Sequence, residues 1–74
     1  MKTEDPVWSL QRGADGRLDC VVVRYRAGVY FGEIHRNNEF FRHSVSFPQR
    51  GDALRWAAQE RQALERDGWT LPPA

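Results

Sequence analysis

The side chains in this sequence that could do covalent chemistry are few. There is one cysteine, Cys20, and there are two histidines, His35 and His43. A thiol beside an imidazole can form a nucleophilic pair, because the imidazole takes up the thiol proton. We predict that Cys20 and His35 lie opposite each other on neighbouring strands, which would place such a pair on a sheet surface.

That pair alone does not make an enzyme, because a thiolate enzyme also needs an orienting residue and an oxyanion site. We therefore predict a protein that is not an enzyme. In such a protein we expect Cys20 to be a half-buried apolar residue and His43 to be buried and hydrogen-bonded. The sequence has no glycine-rich phosphate loop, and its Cys and His are too few for structural zinc. We expect no metal, no cofactor and no small-molecule substrate.

A second group of residues suits non-covalent binding. Phenylalanine provides buried contact area and arginine provides directional hydrogen bonds, so a surface that combines them is typical of an interface. We predict that one face of a sheet carries such a surface. The predicted binding residues are Arg24, Arg26, Phe31, Glu33, His35, Phe40, Arg42 and Ser44.

The elements that would position these residues follow from a change in composition at Phe47-Pro48. Aromatic and β-branched residues dominate before it, and Ala, Leu, Gln, Glu and Arg dominate after it. The predicted fold is α+β, a four-stranded antiparallel β-meander with one C-terminal α-helix packed on one face. The predicted elements are strands over 7–12, 18–26, 29–36 and 39–47 and a helix from about residue 50 or 51 to 67.

The same patterns predict one domain with short loose ends. The α+β domain is predicted to span residues 7–71. We predict a flexible tail over residues 1–6 and a frayed end over residues 72–74, because neither segment has an apolar pattern that would hold it to the domain.

Three turn signals predict the register of the strands. Asp15-Gly16 and Asn37-Asn38 suit two-residue hairpin turns, which need positive φ, and Ala27-Gly28 is a weaker signal that leaves a longer loop open. A slip of one residue would turn a whole strand over. The three turns together place one apolar set on the helix side, consisting of Trp8, Leu10, Val21, Val23, Tyr25, Tyr30, Ile34, Phe41, Val45 and Phe47.

Two glycines are predicted to have specific packing roles. Gly68 suits a left-handed cap after the helix, with Trp69 folding back onto Leu64. Gly32 lies on the predicted core face, where the missing side chain lets Trp56 approach the backbone. We expect all three tryptophans to meet in the core rather than to form a cation-binding cage.

One helix covers only one face of a sheet, so we predict that the other face is open and binds a partner. A protein partner, or a second copy of this chain, is the favoured reading. The alternative is a nucleic acid bound through the same face, and a plain solvent face is the remaining reading. The chain has 11 Lys and Arg against 10 Asp and Glu, a net charge of +1. Phosphate binding normally needs a clear basic excess, so protein is preferred.

A likeness in topology bears on the nucleic-acid alternative. Antiparallel strands followed by a packing helix, over residues 18–67, resemble two kinds of DNA-binding domain. These are the plant ethylene-response-type domain and the arm-binding domain of tyrosine integrases. The start of the helix is loosely similar, with the run Phe47-Pro48-Gln49-Arg50-Gly51-Asp52-Ala53-Leu54. The resemblance implies that Arg24, Arg26 and Arg42 would meet DNA through the sheet.

Composition excludes several other classes of protein. The hydrophobic content of 41% is too high for a disordered chain. No apolar run approaches the roughly 20 residues of a membrane span, and the acidic start does not resemble a signal peptide. We predict a small soluble cytoplasmic protein. The ten Arg against one Lys suggest the codon bias of a GC-rich bacterial or phage genome.

Overall fold

The computed structural model describes residues 3–73 and confirms the predicted α+β fold. One antiparallel sheet has its strands in chain order, and a single long helix follows it. Among the described residues, no helix is long and apolar enough to cross a membrane. The elements are β1 (Thr3–Gln11), β2 (Arg17–Arg24), β3 (Tyr30–Arg36), β4 (Glu39–His43) and α1 (Arg50–Arg66).

The first strand begins earlier than predicted. Residues 3–6, predicted as part of a flexible tail, belong to β1 and pair with β2 from Thr3 opposite Arg24 onward. Pro6 is tolerated there because β1 is an edge strand, where a missing N–H need not break a ladder. The tail residues 1 and 2 and residue 74 of the predicted frayed end lie outside the described residues.

The core lies between α1 and one face of the sheet, as predicted. All three tryptophans meet there: Trp8 and Trp69 are buried in the cluster, and Trp56 packs against it. The indole N–H of Trp8 donates a hydrogen bond of 2.9 Å to the carbonyl of Ala57 in α1. The buried cluster consists of Trp8, Leu10, Leu18, Cys20, Ile34, Ala57 and Trp69.

Both predicted glycine roles are confirmed. A Cβ on Gly32 would overlap the six-membered ring of Trp56, so the bare backbone is what lets the indole pack. Gly68 has φ +94° and ends α1. The N–H of Gly68 bonds to the carbonyl of Glu65 at 3.2 Å and that of Trp69 to Leu64 at 3.0 Å, the pattern of a Schellman cap.

The loop between β1 and β2 differs from the predicted two-residue turn. Residues 12–16 form it, with a short 3₁₀ turn at Gly13–Asp15 and positive φ at both Gly13 and Gly16. The predicted two-residue turn would place Trp8 opposite Val23. The longer loop places Trp8 opposite Cys20 instead. The shift is an odd number of residues, so it turns β2 over relative to the prediction.

This inversion corrects the predicted core face. Cys20 and Val22 face α1, and the predicted core residues Val21, Val23 and Tyr25 lie on the opposite side of the sheet. The next loop is the longer one that the weak Ala27-Gly28 signal left open, closed by hydrogen bonds between Tyr25 and Val29 and between Gly28 and Tyr25.

The last hairpin has the predicted turn but not the predicted strand. Asn37 and Asn38 both take positive φ, at 50° and 69°, which confirms the two-residue turn. A bulge then intervenes, since His35 pairs with Phe40 while Ile34 pairs with Arg42. The extra residue turns the remainder of β4 over. Phe41 and Val45, predicted in the core, are 46% and 71% exposed.

Candidate binding face

The side of the sheet opposite α1 is covered by no other helix or strand among residues 3–73. We call it the uncovered face. Strand pairing and side-chain contacts assign its members. They are Glu4, Pro6, Ser9 and Gln11 from β1, Arg17, Asp19, Val21 and Val23 from β2, Tyr25 after it, Phe31, Glu33 and His35 from β3, and Phe40 and His43 from β4.

Five rings on this face form a continuous series, which we call the ring arc. Tyr25 contacts Phe31 edge to face with ring centres 5.2 Å apart, and Phe31 contacts His43 in the same way at 5.9 Å. Phe40 lies 5.8 Å from His43, and His35 contacts Phe40 at 6.1 Å. Edge-to-face contacts of this kind hold each ring in a defined orientation. The arc is therefore an ordered surface and not a set of separate aromatic residues.

Glu33 joins the two ends of the ring arc. The hydroxyl of Tyr25 donates to Glu33 Oε2 at 3.4 Å, and the imidazole Nε2 of His35 donates to Glu33 Oε1 at 3.2 Å. Each carboxylate oxygen thus has a partner at opposite ends of the arc. Glu33 is only 8% exposed although it lies on the uncovered face. The rings that surround it exclude most of its water.

The ring arc also packs onto the sheet beneath it. Val23 is fully buried on the uncovered face, beside its cross-strand partner Phe31. Phe40, which lies between His43 and His35 in the arc, remains 58% exposed. The face therefore has a packed apolar floor and an accessible aromatic ring, and aromatic residues are enriched in protein interfaces.

The charged residues near the centre of the uncovered face are few. Asp19 and Glu33 lie there, with a single guanidinium from Arg17 on the described strands. Arg17 is already paired with Asp19 at 3.0 Å, and its Nη2 also donates to the hydroxyl of Ser9. Glu33 has no such partner, since its ionic contact is to His35, which is positive only when protonated. Glu33 is therefore the central charge of the face, where the sequence predicted three arginines.

A groove on the uncovered face continues from the ring arc toward β1. It meets the arc at His35 and has an apolar floor that includes Val21 and Pro6. Its polar lining includes Ser9, Asp19 and Asn38. A groove that adjoins an aromatic surface can take an extended segment of chain along its length.

Half of the predicted binding residues lie together on the uncovered face. Phe31, Glu33, His35 and Phe40 are in contact there, directly or through His43. Tyr25 and His43 complete the group. The sequence prediction missed them, because it used a different register for β2 and did not include the bulge in β4, and so placed both residues in the core.

The other predicted binding residues lie elsewhere. Arg42 is on the helix side, where its Nη2 forms a 2.8 Å ion pair with Glu60 of α1. Ser44 is 5% exposed, and its hydroxyl accepts from the N–H of Gly32 and donates to the carbonyl of Val45. The prediction that arginines line the aromatic surface is therefore wrong for Arg42.

Arg24 and Arg26 also stand apart from the aromatic surface. Arg24 pairs with Tyr30 and shares the helix side of the sheet with it by register, while Arg26 is an exposed residue of the loop that follows β2. The register places neither guanidinium on the strands of the uncovered face.

The predicted Cys20–His35 pair does not form. Cys20 pairs with Ile34 and is 1% exposed beneath α1, while His35 lies on the uncovered face. Burial, with a smaller contribution from Glu60, raises the pKa of the Cys20 thiol to about 12. Stability from the neutral thiol is thus complete at neutral pH and declines as the pH rises above the ordinary thiol value.

We expect the Cys20 thiol to react at least about a hundredfold more slowly with an aromatic disulfide reagent in the folded protein than in urea, because the thiolate is the nucleophile. Stopped-flow absorbance at neutral pH measures both rates. Equal rates in the two conditions would show that Cys20 is accessible, contrary to its burial.

Within residues 3–73, no cluster of His, Cys, Asp and Glu side chains is arranged to hold a metal ion. The chain matches no known protein family, no curated protein and no solved structure. Its class is therefore given by its own geometry, as a small α+β domain with an aromatic sheet face that its helix does not cover.

Proposed function

We propose that this protein is a small binding module that recognises a partner protein through the uncovered face. The observation that carries the proposal is the ring arc around Glu33, an ordered aromatic surface that no element among residues 3–73 covers. Aromatic residues beside a desolvated charge are the usual centre of a protein interface. The adjoining groove gives space for an extended segment of the partner.

Two further properties fit the proposal that this is an accessory protein of a bacterium or phage. The excess of arginine over lysine, ten to one, supports a GC-rich genome. Cys20 is free and buried, which suits the reducing interior of a cell. We propose that the protein acts in the cytoplasm without catalysing a reaction.

A nucleic-acid partner is less well supported by the geometry. Arg42 is paired with Glu60 on the helix side, and the guanidinium that the described strands place on the uncovered face, that of Arg17, is paired with Asp19. Nucleic-acid affinity depends on neutralising phosphates with Lys and Arg, and the described strands of this face offer no unpaired guanidinium for it. Binding of DNA through this face, as the topological resemblance implied, would have to break one of these ion pairs.

We expect Phe40→Ala to weaken partner binding about tenfold or more while leaving the fold intact, since Phe40 is a 58% exposed member of the ring arc. Linear peptides selected against the wild-type protein from a random phage-displayed library provide the ligands. Fluorescence polarisation measures their affinity, and labelled duplex and single-stranded DNA at low salt form a parallel arm.

Phe41→Ala is the matched control. It removes the same side chain from the next residue, which is 46% exposed but outside the ring arc, so peptide affinity should not change. Equal losses in both variants, or no selectable peptide at all, would contradict the proposed function. DNA binding lost in Phe40→Ala would support the nucleic-acid alternative instead. Light scattering of the free protein tests whether the partner is a second copy.

A further inference from the structure

The charge at the centre of the ring arc indicates what the partner must supply. We propose that Glu33 and the ring arc form a seat for an arginine side chain of the partner protein. This inference rests on the proposed function and specifies the chemistry of the same face. It follows from the burial of Glu33, the acceptor sites that its carboxylate retains and the rings around it.

The burial of Glu33 is the first step. The side chain of Glu33 is 11% exposed and has lost most of its hydration, and an uncompensated buried charge is unfavourable. No Arg or Lys of residues 3–73 forms an ion pair with it, and His35 supplies a positive charge only when protonated. The carboxylate therefore lacks a permanent cationic partner within the described chain. A cation from outside would provide one.

The hydrogen-bond count gives the second step. An ionised carboxylate has about four acceptor sites on its two oxygens. Tyr25 uses one site on Oε2, and His35 uses one site on Oε1. One acceptor site remains on each oxygen, which is the number that the two parallel N–H groups of a guanidinium require. An ammonium group is a point charge and would not use both oxygens in this way.

The rings give the third step. The face of an aromatic ring attracts a cation, and a guanidinium also stacks flat on it. Phe40 stands exposed at the rim of the arc, with His35 and His43 on either side of it. An arginine that reaches Glu33 would cross this rim and cover part of it. The same side chain thus meets both the charge and the aromatic surface.

The test uses small probes and the selected peptides together. N-acetyl-arginine methylamide is titrated into labelled protein, and the shifts of the His35 and His43 ring signals are followed by NMR. The uncharged isostere N-acetyl-citrulline methylamide is the comparison. We expect the citrulline probe, and Glu33→Gln with the arginine probe, to bind about tenfold more weakly. Glu39→Gln is the matched control, since Glu39 pairs with Arg36 at the far end of β4 and should have no effect.

The outcomes separate this inference from the proposed function. If the selected peptides bind at the ring arc but tolerate replacement of arginine by citrulline, the arginine seat is wrong and the binding module stands. If no peptide binds while the arginine probe still shifts the ring signals in a Glu33-dependent way, the seat stands and the proposed function falls. Should Glu33→Gln fail to give a folded spectrum, the response of Phe40→Ala to the arginine probe decides, and unchanged binding would overturn the inference.

Discussion

Gly32→Ala is expected to destabilise the protein by about 3 kcal/mol, a large effect for the addition of one methyl group. The new Cβ would occupy the position of the Trp56 ring, which packs directly on the backbone of β3. Either the indole leaves the core or the helix moves away from the sheet, and both lose buried apolar area. Urea unfolding followed by circular dichroism measures the change in the free energy of unfolding.

Gly51→Ala is the matched control for this substitution. Gly51 lies in the first turn of α1, and a Cβ there would meet no atom within 4 Å. Alanine has the higher helix propensity, so this variant should be as stable as the wild type or more stable. In a Trp56→Ala background, Gly32→Ala should cost much less, because the clash is gone. An undiminished cost in that background would show that the clash is not the cause.

The parts of the fold that the sequence predicted well depend on short-range chemistry. The cap at Gly68 needs only a left-handed residue after the helix, and the turn at Asn37 and Asn38 needs only two residues that tolerate positive φ. The contact between Gly32 and Trp56 needed one further fact, the side of β3 that faces the helix, and that side was assigned correctly.

The face of β2 was predicted wrongly for a physical reason. Its run from Leu18 to Val23 is apolar on both sides of the strand except at Asp19. Such a run carries little alternation that would reveal an inverted strand. The predicted orientation of β2 then depended on the length of the loop between β1 and β2. That loop spans residues 12–16, with positive φ at Gly13 and Gly16, and is longer than the predicted two-residue turn.

The bulge in β4 removed Arg42 from the predicted binding surface. A bulge depends on tertiary packing and leaves no clear mark in the sequence. The sequence did contain one indication of the bulge. Glu60 lies on the side of α1 that carries its apolar residues, where a carboxylate needs a cationic partner from the sheet. Pairing Glu60 with an arginine of β4 would have turned that strand to its observed side.

These two corrections change the functional prediction as well as the register. With β2 and β4 as predicted, arginines would lie among the aromatic residues and the face would be basic. In the structure Arg42 pairs with α1, and Glu33 is left as the central charge among the rings. The proposal of an uncovered binding face is retained from the sequence, while Glu33 takes the place of the predicted arginines as its central charge.

Trp8→Ala is expected to cost about 3–5 kcal/mol, since it removes a large buried side chain. Trp8 is 8% exposed and joins the edge strand β1 to α1 through its hydrogen bond to Ala57. A chain of 74 residues is expected to have a total stability of about 4–11 kcal/mol. The variant should therefore be partly unfolded at room temperature, with a broadened or missing thermal transition in circular dichroism.

Trp8→Phe separates packing from the hydrogen bond. Phenylalanine keeps much of the apolar volume but lacks the donor to Ala57 and one of the two rings, so the loss should be nearer to about 1–2 kcal/mol. Phe41→Ala, which removes an exposed ring from the sheet, should change stability by no more than about 0.5 kcal/mol. If Trp8→Phe were as damaging as Trp8→Ala, the hydrogen bond would outweigh the burial of the ring. If Trp8→Ala were as mild as Phe41→Ala, the packing of α1 would not depend on β1, and Trp8 would not be a central residue of the core.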